Sequence, residues 1–427
     1  MKTIQPTEAQ VEVWLASQTS PEANCAYNEC ASIRLQGVLD RKRLTAAIDQ
    51  IVQRHEMMRA TFDASGQQLH IHDRLPYRFR EDDWSGATDE QRDELHRAAI
   101  RDEGRERFDL ENGPLVRFRL QQIARDHHLL TVTAHHLAMD GWSLWIFARD
   151  LGHLYDGGPI PDPVSYEQYA ASMREYHESD EGSRDEAFWL AQFADGIPVL
   201  DLPTDRPRPA LKTFNGARCD HTIPADLGGQ IRKRGAKIGC SLFHMMLTGF
   251  EAYLARLTGQ DDIVIGIPTA GQTAMQMDDC IGHCVNTLPY RTQIDLDQTM
   301  IDAAKATRGR VLDVLEHQRC TFGTLLRKLA PPRDPGRPAI FSVMFNVDPA
   351  IKGKDLGFVD IDAEVIVEPR EFESFEWFIN GVVTESGEIE LQCQYNTDLF
   401  DAETISGYLA GFAAFMQRFV EQRERGT

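Results

Sequence analysis

The alternation of apolar and polar positions predicts the same run of elements twice along the chain. In the first run, residues 115–123 and 127–136 read as a hairpin around Ala124-Arg125-Asp126. A corner follows, then a helix whose Leu144, Phe147, Ala148 and Leu151 share one stripe. In the second, residues 377–384 and 388–395 read as a hairpin around Ser386-Gly387. The helix after it carries Ile405, Tyr408, Leu409, Phe412, Phe415, Met416 and Phe419 at helical spacing. Laid over each other, the corner at 135–141 falls opposite residues 395–401, and the second copy has no histidine. The repeat predicts two similar α/β lobes, with the chemistry supplied by the first alone.

Other elements fit that division. A strand over 31–35 leads into a helix over 41–54 that buries Leu44, Ile48, Ile51 and Val52, and a strand-like stretch over 56–62 follows. Later, Ser241 caps a helix whose Leu242, Met245, Phe250, Tyr253, Leu254 and Leu257 mark the core side; Gly259 ends it, and residues 262–267 read as a buried strand. Between the lobes, Gly157-Gly158-Pro159-Ile160-Pro161-Asp162-Pro163 breaks regular structure, and two amphipathic helices precede a stiff, proline-rich connector over 202–209. The expected organisation is an N-terminal lobe over 1–165, connecting helices and linker over 166–210, and a C-terminal lobe over 211–427. A chain of 427 residues is too long for one core, which agrees with two lobes.

Composition narrows the function classes. Apolar content of 42% and charged content of 26% are ordinary for a globular protein. No apolar run reaches membrane-spanning length and the first residues carry no secretion signal, so a cytoplasmic chain is expected; a monomer is expected as well. A net charge of −21 argues against nucleic acid or an anionic membrane as partner. Eight cysteines, several inside apolar patterns, read as reduced packing residues. Cys280 and Cys284 bracket His283, but no second ligand pair has zinc-like spacing, so no metal is expected.

The chemistry concentrates in His135-His136-Leu137-Ala138-Met139-Asp140-Gly141. Period two puts His136 on one strand face with Leu130, Val132 and Ala134, and His135 on the other with Leu129, Thr131 and Thr133. The two imidazoles therefore cannot share a task. Ser143 is placed to satisfy amides in the first turn of the following helix, whose N-terminus favours developing negative charge.

This segment resembles the HHxxxDG core of the condensation domains of nonribosomal peptide synthetases, in the chloramphenicol-acetyltransferase-like superfamily. Other segments resemble that family's motifs in order. They are Thr7-Glu8-Ala9-Gln10 with Trp14-Leu15, residues 54–62 (RHEMMRATF), residues 166–170 (YEQYA) and residues 281–291 (IGHCVNTLPYR). In the last of these His283-Cys284 departs from the usual residues. His317 with Phe322 matches only in part, and Arg333-Asp334 before residues 341–346 is similar to the seventh motif. The resemblance implies two acetyltransferase-like α/β-sandwich lobes forming a V-shaped pseudo-dimer. It also implies a donor tethered as a thioester to the phosphopantetheine arm of an acyl or peptidyl carrier protein, with no cofactor bound by this chain.

The candidate catalytic set is His136, His135, Asp140 and Gly141. His136 is the expected base or positioning group, because imidazole has the right native pKa to take a proton from an attacking amine at neutral pH. His135 reads as structural. Asp140 is expected to pair with an arginine, Arg59 or Arg291 being the ones the motifs suggest, and Gly141 to permit close approach of substrate or a neighbouring helix. Trp142, Ser143 and Asn346 are candidate substrate contacts. Neither a serine nucleophile elbow nor a glycine-rich phosphate loop is present, so both reactants should arrive ready to react. The favoured function is amide formation onto an amine acceptor. Ester formation onto a hydroxyl and a silent, partner-recruiting domain are the alternatives.

Overall fold

The computed structural model describes residues 1–332, 334–348 and 353–421, so Arg333 of the seventh motif lies outside the described residues. The chain forms two units, each with its own hydrophobic core. They are not contiguous halves. The first comprises 1–181 together with 270–285 and 351–372, and the second comprises 182–269, 286–350 and 373–427. Two stretches expected in the C-terminal lobe thus complete the first unit. Apolar side chains carry them there: Cys280, Ile281, Cys284, Leu356, Ile361 and Ala363 are all buried in the first core.

The first unit holds a small sheet of β1 (Lys2–Ile4), β3 (Ala60–Phe62) and β4 (Leu69–Ile71). Its main sheet is built from β2 (Asn28–Gln36), β5 (Arg78–Asp83), β6 (Val116–Ala124), β7 (His127–His135) and β12 (Asp362–Val367), in the order β12-β2-β7-β6-β5. The stretch over 56–62 is not one strand. Its first four residues form a 3-10 turn, Glu56–Arg59, and only β3 is extended, because His55 ends the preceding helix and the chain must reverse within a few residues. Helix Arg41–Arg54, capped by the Asp40 carboxylate, buries Leu44, Ala47, Ile48, Ile51 and Val52. It packs on helix Gly141–Tyr155, which follows β7.

The second unit carries β8 (Gly216–Ile223), β9 (Asp262–Ala270), β10 (Val285–Gln293), β11 (Val343–Asp348), β13 (Trp377–Val383) and β14 (Ile389–Asn396), in the order β10-β9-β11-β13-β14-β8. The duplication is visible in strand order and sense. In the first unit β2 runs antiparallel to β7, β7 antiparallel to β6, and β6 parallel to β5. In the second β8 runs antiparallel to β14, β14 antiparallel to β13, and β13 parallel to β11. Helix Ala402–Glu421 then follows β14 as Gly141–Tyr155 follows β7.

Register corrects the sequence overlay by one residue. Asn28 pairs with His135 at the head of β2, and Gly216 pairs with Asn396 at the head of β8. The next amide donates to the residue before each of those strands, His136 N–H to Tyr27 O and Thr397 N–H to Asn215 O. His135 therefore corresponds to Asn396, His136 to Thr397 and Asp140 to Asp401. Alternation agrees with the corrected register: Ala134 and Tyr395 each face a core, whereas the overlay set His135 against Tyr395.

The returning segment docks tightly on the helix behind the histidine corner. A Cβ on Gly152 would lie 1.9 Å from the Leu356 carbonyl oxygen, and main chain on both sides leaves nothing to swing away. Gly152→Ala is expected to destabilise the protein by roughly 1–3 kcal/mol, the cost of overpacking a closed contact. A urea-unfolding midpoint equal to that of the parent would show that residues 353–356 do not seat there.

Candidate functional site

The corner after β7 is fixed by its main chain. Ala138 and Met139 N–H both donate to His135 O, and the matching Leu399 and Phe400 N–H donate to Asn396 O. Inside this turn the two histidines have separate surroundings. His135 is fully buried, its ring against Tyr27 and Phe108. Its Nδ1 accepts Leu137 N–H at 3.2 Å, so the ring proton sits on Nε2, which faces Ser17 Oγ at 3.4 Å. In the second unit Asn396 Oδ1 accepts Asp398 N–H at 2.9 Å, the same bond two residues on. Burial, with a smaller contribution from the neighbouring His136, pushes the His135 imidazole down to about 3. That ring is a neutral hydrogen-bond acceptor at the bend.

His136 keeps 19% of its side chain exposed and stands among polar groups. Its Nε2 lies 3.3 Å from Glu29 Oε1, at the head of β2, and its Nδ1 lies 3.1 Å from Nδ1 of His283. The two imidazole rings meet edge to face at 83°. Glu29 in turn takes the Arg370 guanidinium on both oxygens, at 2.9 and 3.2 Å. His283 is buried, and desolvation followed by the nearness of His136 and His135 holds it well below the ordinary histidine range. Its main-chain oxygen accepts the Tyr166 hydroxyl at 2.9 Å.

Asp140 is not paired with an arginine. It is the N-cap of helix Gly141–Tyr155, accepting from Ser143 N–H at 2.8 Å and Ser143 Oγ–H at 2.7 Å. Gln272 Nε2 donates to both of its oxygens, at 3.1 and 3.0 Å. The main-chain N–H groups of Cys284 and Val285 complete the set at 2.9 and 3.0 Å. With those donors in place and the carboxylate 1% exposed, no position is left for a guanidinium. The two arginines act elsewhere. Arg59 donates to the carbonyls of Val52, in the last turn of its helix, and of His72. Arg291 forks onto Asp262 at 2.9 and 2.7 Å and reaches Asp195.

The remaining candidates sort by what they touch. Ser143 is buried and is not the cap. Its hydroxyl bonds Asp140 and the Gly282 main chain, which commits its one proton inside the corner. Gly141 has nothing within 4 Å of a would-be Cβ, so no neighbouring helix approaches it. Trp142 is exposed, with its indole N–H on Asp278 O at 2.9 Å. Asn346 Nδ2 donates to Asp348 and Asn380 in the second unit. Cys280 and Cys284 lie in the apolar core, and among the described residues no group of three or more possible ligands is arranged to hold a metal ion.

Sequence reasoning missed Glu29, Arg370 and Gln272, and weighed His283 only as a metal ligand. Glu29 had one usable signal, a charge at the head of an otherwise apolar strand, but a strand starting at residue 31 left it outside. Arg370 and Gln272 had none, since they arrive from segments far along the chain.

The condensation domain family model matches residues 1–426. Tyrocidine synthase 2 of Brevibacillus parabrevis is 32% identical over 407 residues, covering 93% of this chain and 11% of that protein. Surfactin synthase subunit 1 of Bacillus subtilis (strain 168) is 31% identical over 413 residues, covering 96% and 11%. The chain therefore spans about a tenth of the length of these curated relatives. Among solved structures, a four-domain nonribosomal peptide synthetase bound to AMP and glycine superimposes with a TM-score of 0.88 at 20% identity, over 100% of this chain and 33% of that one. The starter condensation domain of rhizomide synthetase, in complex with C8-CoA and Leu-SNAC, gives 0.83 at 23% identity, over 98% and 95%. At these identities the structures establish the fold.

Two outcomes follow from the corner. Asp140→Ala strands the amides of Cys284 and Val285 and removes the helix cap, and should cost about 3 kcal/mol or more. Hydrogen exchange at residues 284 and 285 checks it, and unchanged protection there would refute the anchoring role. The second concerns acid. The folded His135 ring takes a proton only near 3, against 6.5 for an ordinary histidine, so its contribution is intact above about 6.5 and is lost as pH falls from there towards 3. His135→Asn, which offers the acceptor Asn396 already uses, should fold and should flatten that acid dependence by up to about 1.4 kcal/mol per pH unit. Urea midpoints at pH 7 and pH 5 measure it.

Proposed function

Because this chain belongs to the condensation-domain family of nonribosomal peptide synthetases, we propose that it forms amide bonds by acyl transfer. The donor in this reading is an acyl, aminoacyl or peptidyl group carried as a thioester on the phosphopantetheine arm of a carrier protein, and the acceptor is an amine. The phosphopantetheine belongs to the carrier.

The observation that carries the reading is His136. It is the partly exposed imidazole of the corner, it has no histidine counterpart in the second unit, and both its nitrogens face ionisable groups. An amine that attacks a thioester must shed protons as the carbon–nitrogen bond forms, and a positioned imidazole takes one at neutral pH. The N-terminus of helix Gly141–Tyr155 lies five residues on, where a carbonyl oxygen gaining charge is favoured by the unpaired amides of the first turn. The open space over Gly141 is consistent with a reacting group near that end. His135 and Asp140 support the reaction by holding the bend, Asp140 by tying it to residues 282–285.

The test pairs carrier-loaded thioester donors with a panel of amines and matched alcohols, with the carrier followed by intact mass. Amide formation is expected, and His136→Ala should lower turnover by roughly 10²–10⁴, the scale of a positioned acid–base group. Near-parental turnover by a folded His136→Ala chain would remove the imidazole from the mechanism. Transfer to alcohols but not amines would replace amide with ester formation. No transfer to either nucleophile would favour a domain that only recruits partners.

A further inference from the structure

Both nitrogens of His136 face groups that decide whether it can accept a proton from a nucleophile. A carboxylate has no proton to donate, so a carboxylate oxygen 3.3 Å from Nε2 favours the tautomer with its proton on Nε2. A neutral His136 then has a bare Nδ1. The two Nδ1 atoms lie 3.1 Å apart and share one proton, which must come from His283. In that tautomer Nε2 is protonated and Nδ1 is filled. To act as a base through Nε2, His136 must become the Nδ1–H tautomer, donating to a His283 that has moved its own proton to Nε2. The two arrangements hold the same number of protons.

What stands against the second arrangement is Glu29, whose oxygen would then face the lone pair of Nε2. A group inserted between them removes the conflict only if it donates to both. A hydroxyl has one proton to give and can satisfy one side. A protonated amine has three, enough for Glu29 Oε1 and His136 Nε2 together. Building on the acyl-transfer reading above, we propose that Glu29 is the docking carboxylate for a protonated amine acceptor, and that His283 is the tautomer partner allowing His136 to receive its proton. The pair selects an ammonium over an alcohol.

The step balances. The ammonium RNH₃⁺ gives one proton to Nε2 of His136, which becomes imidazolium, and the freed nitrogen pair forms the bond to the thioester carbon while the carbonyl π pair moves to oxygen. Collapse of that intermediate breaks the carbon–sulfur bond, and the departing thiolate takes a second proton from nitrogen. The products are an amide, a thiol and one proton, held on His136 until it passes to water.

The charged and titratable groups around His136 come from several elements: Glu29 on β2, His135 behind it on β7, His283 from the 270–285 segment, and Arg370 after β12, which reaches it through Glu29. Arg370 compensates the charge of Glu29, so an arriving ammonium shares a carboxylate already oriented by one hydrogen bond and a close ion-pair contact.

The full chain, labelled with ¹⁵N-histidine, provides a test that needs no donor. On adding n-propylammonium chloride, the His136 resonances should change from the Nε2–H to the Nδ1–H pattern, with the reverse at His283. Equal sodium chloride or n-propanol should leave both unchanged. Glu29→Gln should abolish the response, and so should His283→Phe, which serves if the first variant does not fold. In turnover with a carrier-loaded donor, Glu29→Gln should raise the amine KM about ten- to a hundredfold, the worth of one hydrogen bond to a charged group, with kcat falling less. A His136 tautomer unmoved by saturating n-propylammonium, or moved equally by n-propanol, overturns the inference even if the chain condenses amines. Absent turnover with the tautomer response intact counts against the acyl-transfer reading instead.

Discussion

A carboxylate cut off from solvent must have its lone pairs met from within the protein, and Asp140 meets that condition with donors from two distant parts of the chain. Ser143 supplies the local ones, while Gln272, Cys284 and Val285 supply the rest from the 270–285 segment. Because the two main-chain donors are adjacent, residues 282–285 can take only one orientation against the corner. That orientation delivers His283 to His136 and leaves the Tyr166 hydroxyl on the carbonyl behind it. The catalytic candidate is thus placed twice, once by the end of β7 and once by a carboxylate four residues later that never touches its ring.

The second unit shows the same corner without the histidine pair. Asp401 sits where Asp140 does, and Ile405 N–H donates to its carbonyl as Leu144 N–H donates to that of Asp140. Its side chain, however, is exposed and pairs with Arg206. An exposed aspartate at a helix start gains modestly from a guanidinium, since water screens the pair. A buried one needs donors with fixed geometry, and main-chain amides are more rigid than an arginine. The arginine partner expected for Asp140 therefore occurs in the copy that has no histidine. Asn396 completes the comparison: it accepts the amide two residues ahead, as His135 does, which shows that the bend requires an acceptor there rather than an imidazole.

The sequence made the periodic parts legible. Both hairpins, the helices after them and the capped helix from Leu242 stand where apolar spacing, Ser241 and Gly259 put them. Strand alternation separated the adjacent histidines, and the family resemblance together with it singled out His136. The one-residue shift at the corner was in the pattern and was overlooked, since Ala134 and Tyr395 each face a core. What the pattern lacked was the make-up of each unit. A local pattern cannot show that residues 270–285 and 351–372 leave their own half to complete the first unit, because a buried Cys280 or Leu356 looks the same in either core. Every site residue missed by sequence reasoning came from those segments or from a strand head trimmed too short.

The interplay of Glu29 with His136 depends on how Glu29 is held. A carboxylate 10% exposed and lacking a cation would be costly to keep, and Arg370 offsets that cost with a hydrogen bond to Oε2 and an ion-pair contact to Oε1. The same pairing leaves Glu29 able to accept more, since each oxygen has a lone pair beyond the one Arg370 uses. A cation arriving at Nε2 therefore does not have to displace the guanidinium, and the gain is the difference between one donor to Oε1 and another. When the imidazole's own proton is that donor, His136 is idle. When an ammonium takes its place, the imidazole is released to act. Substrate charge and base activation are then one event, set by which donor holds a single oxygen atom.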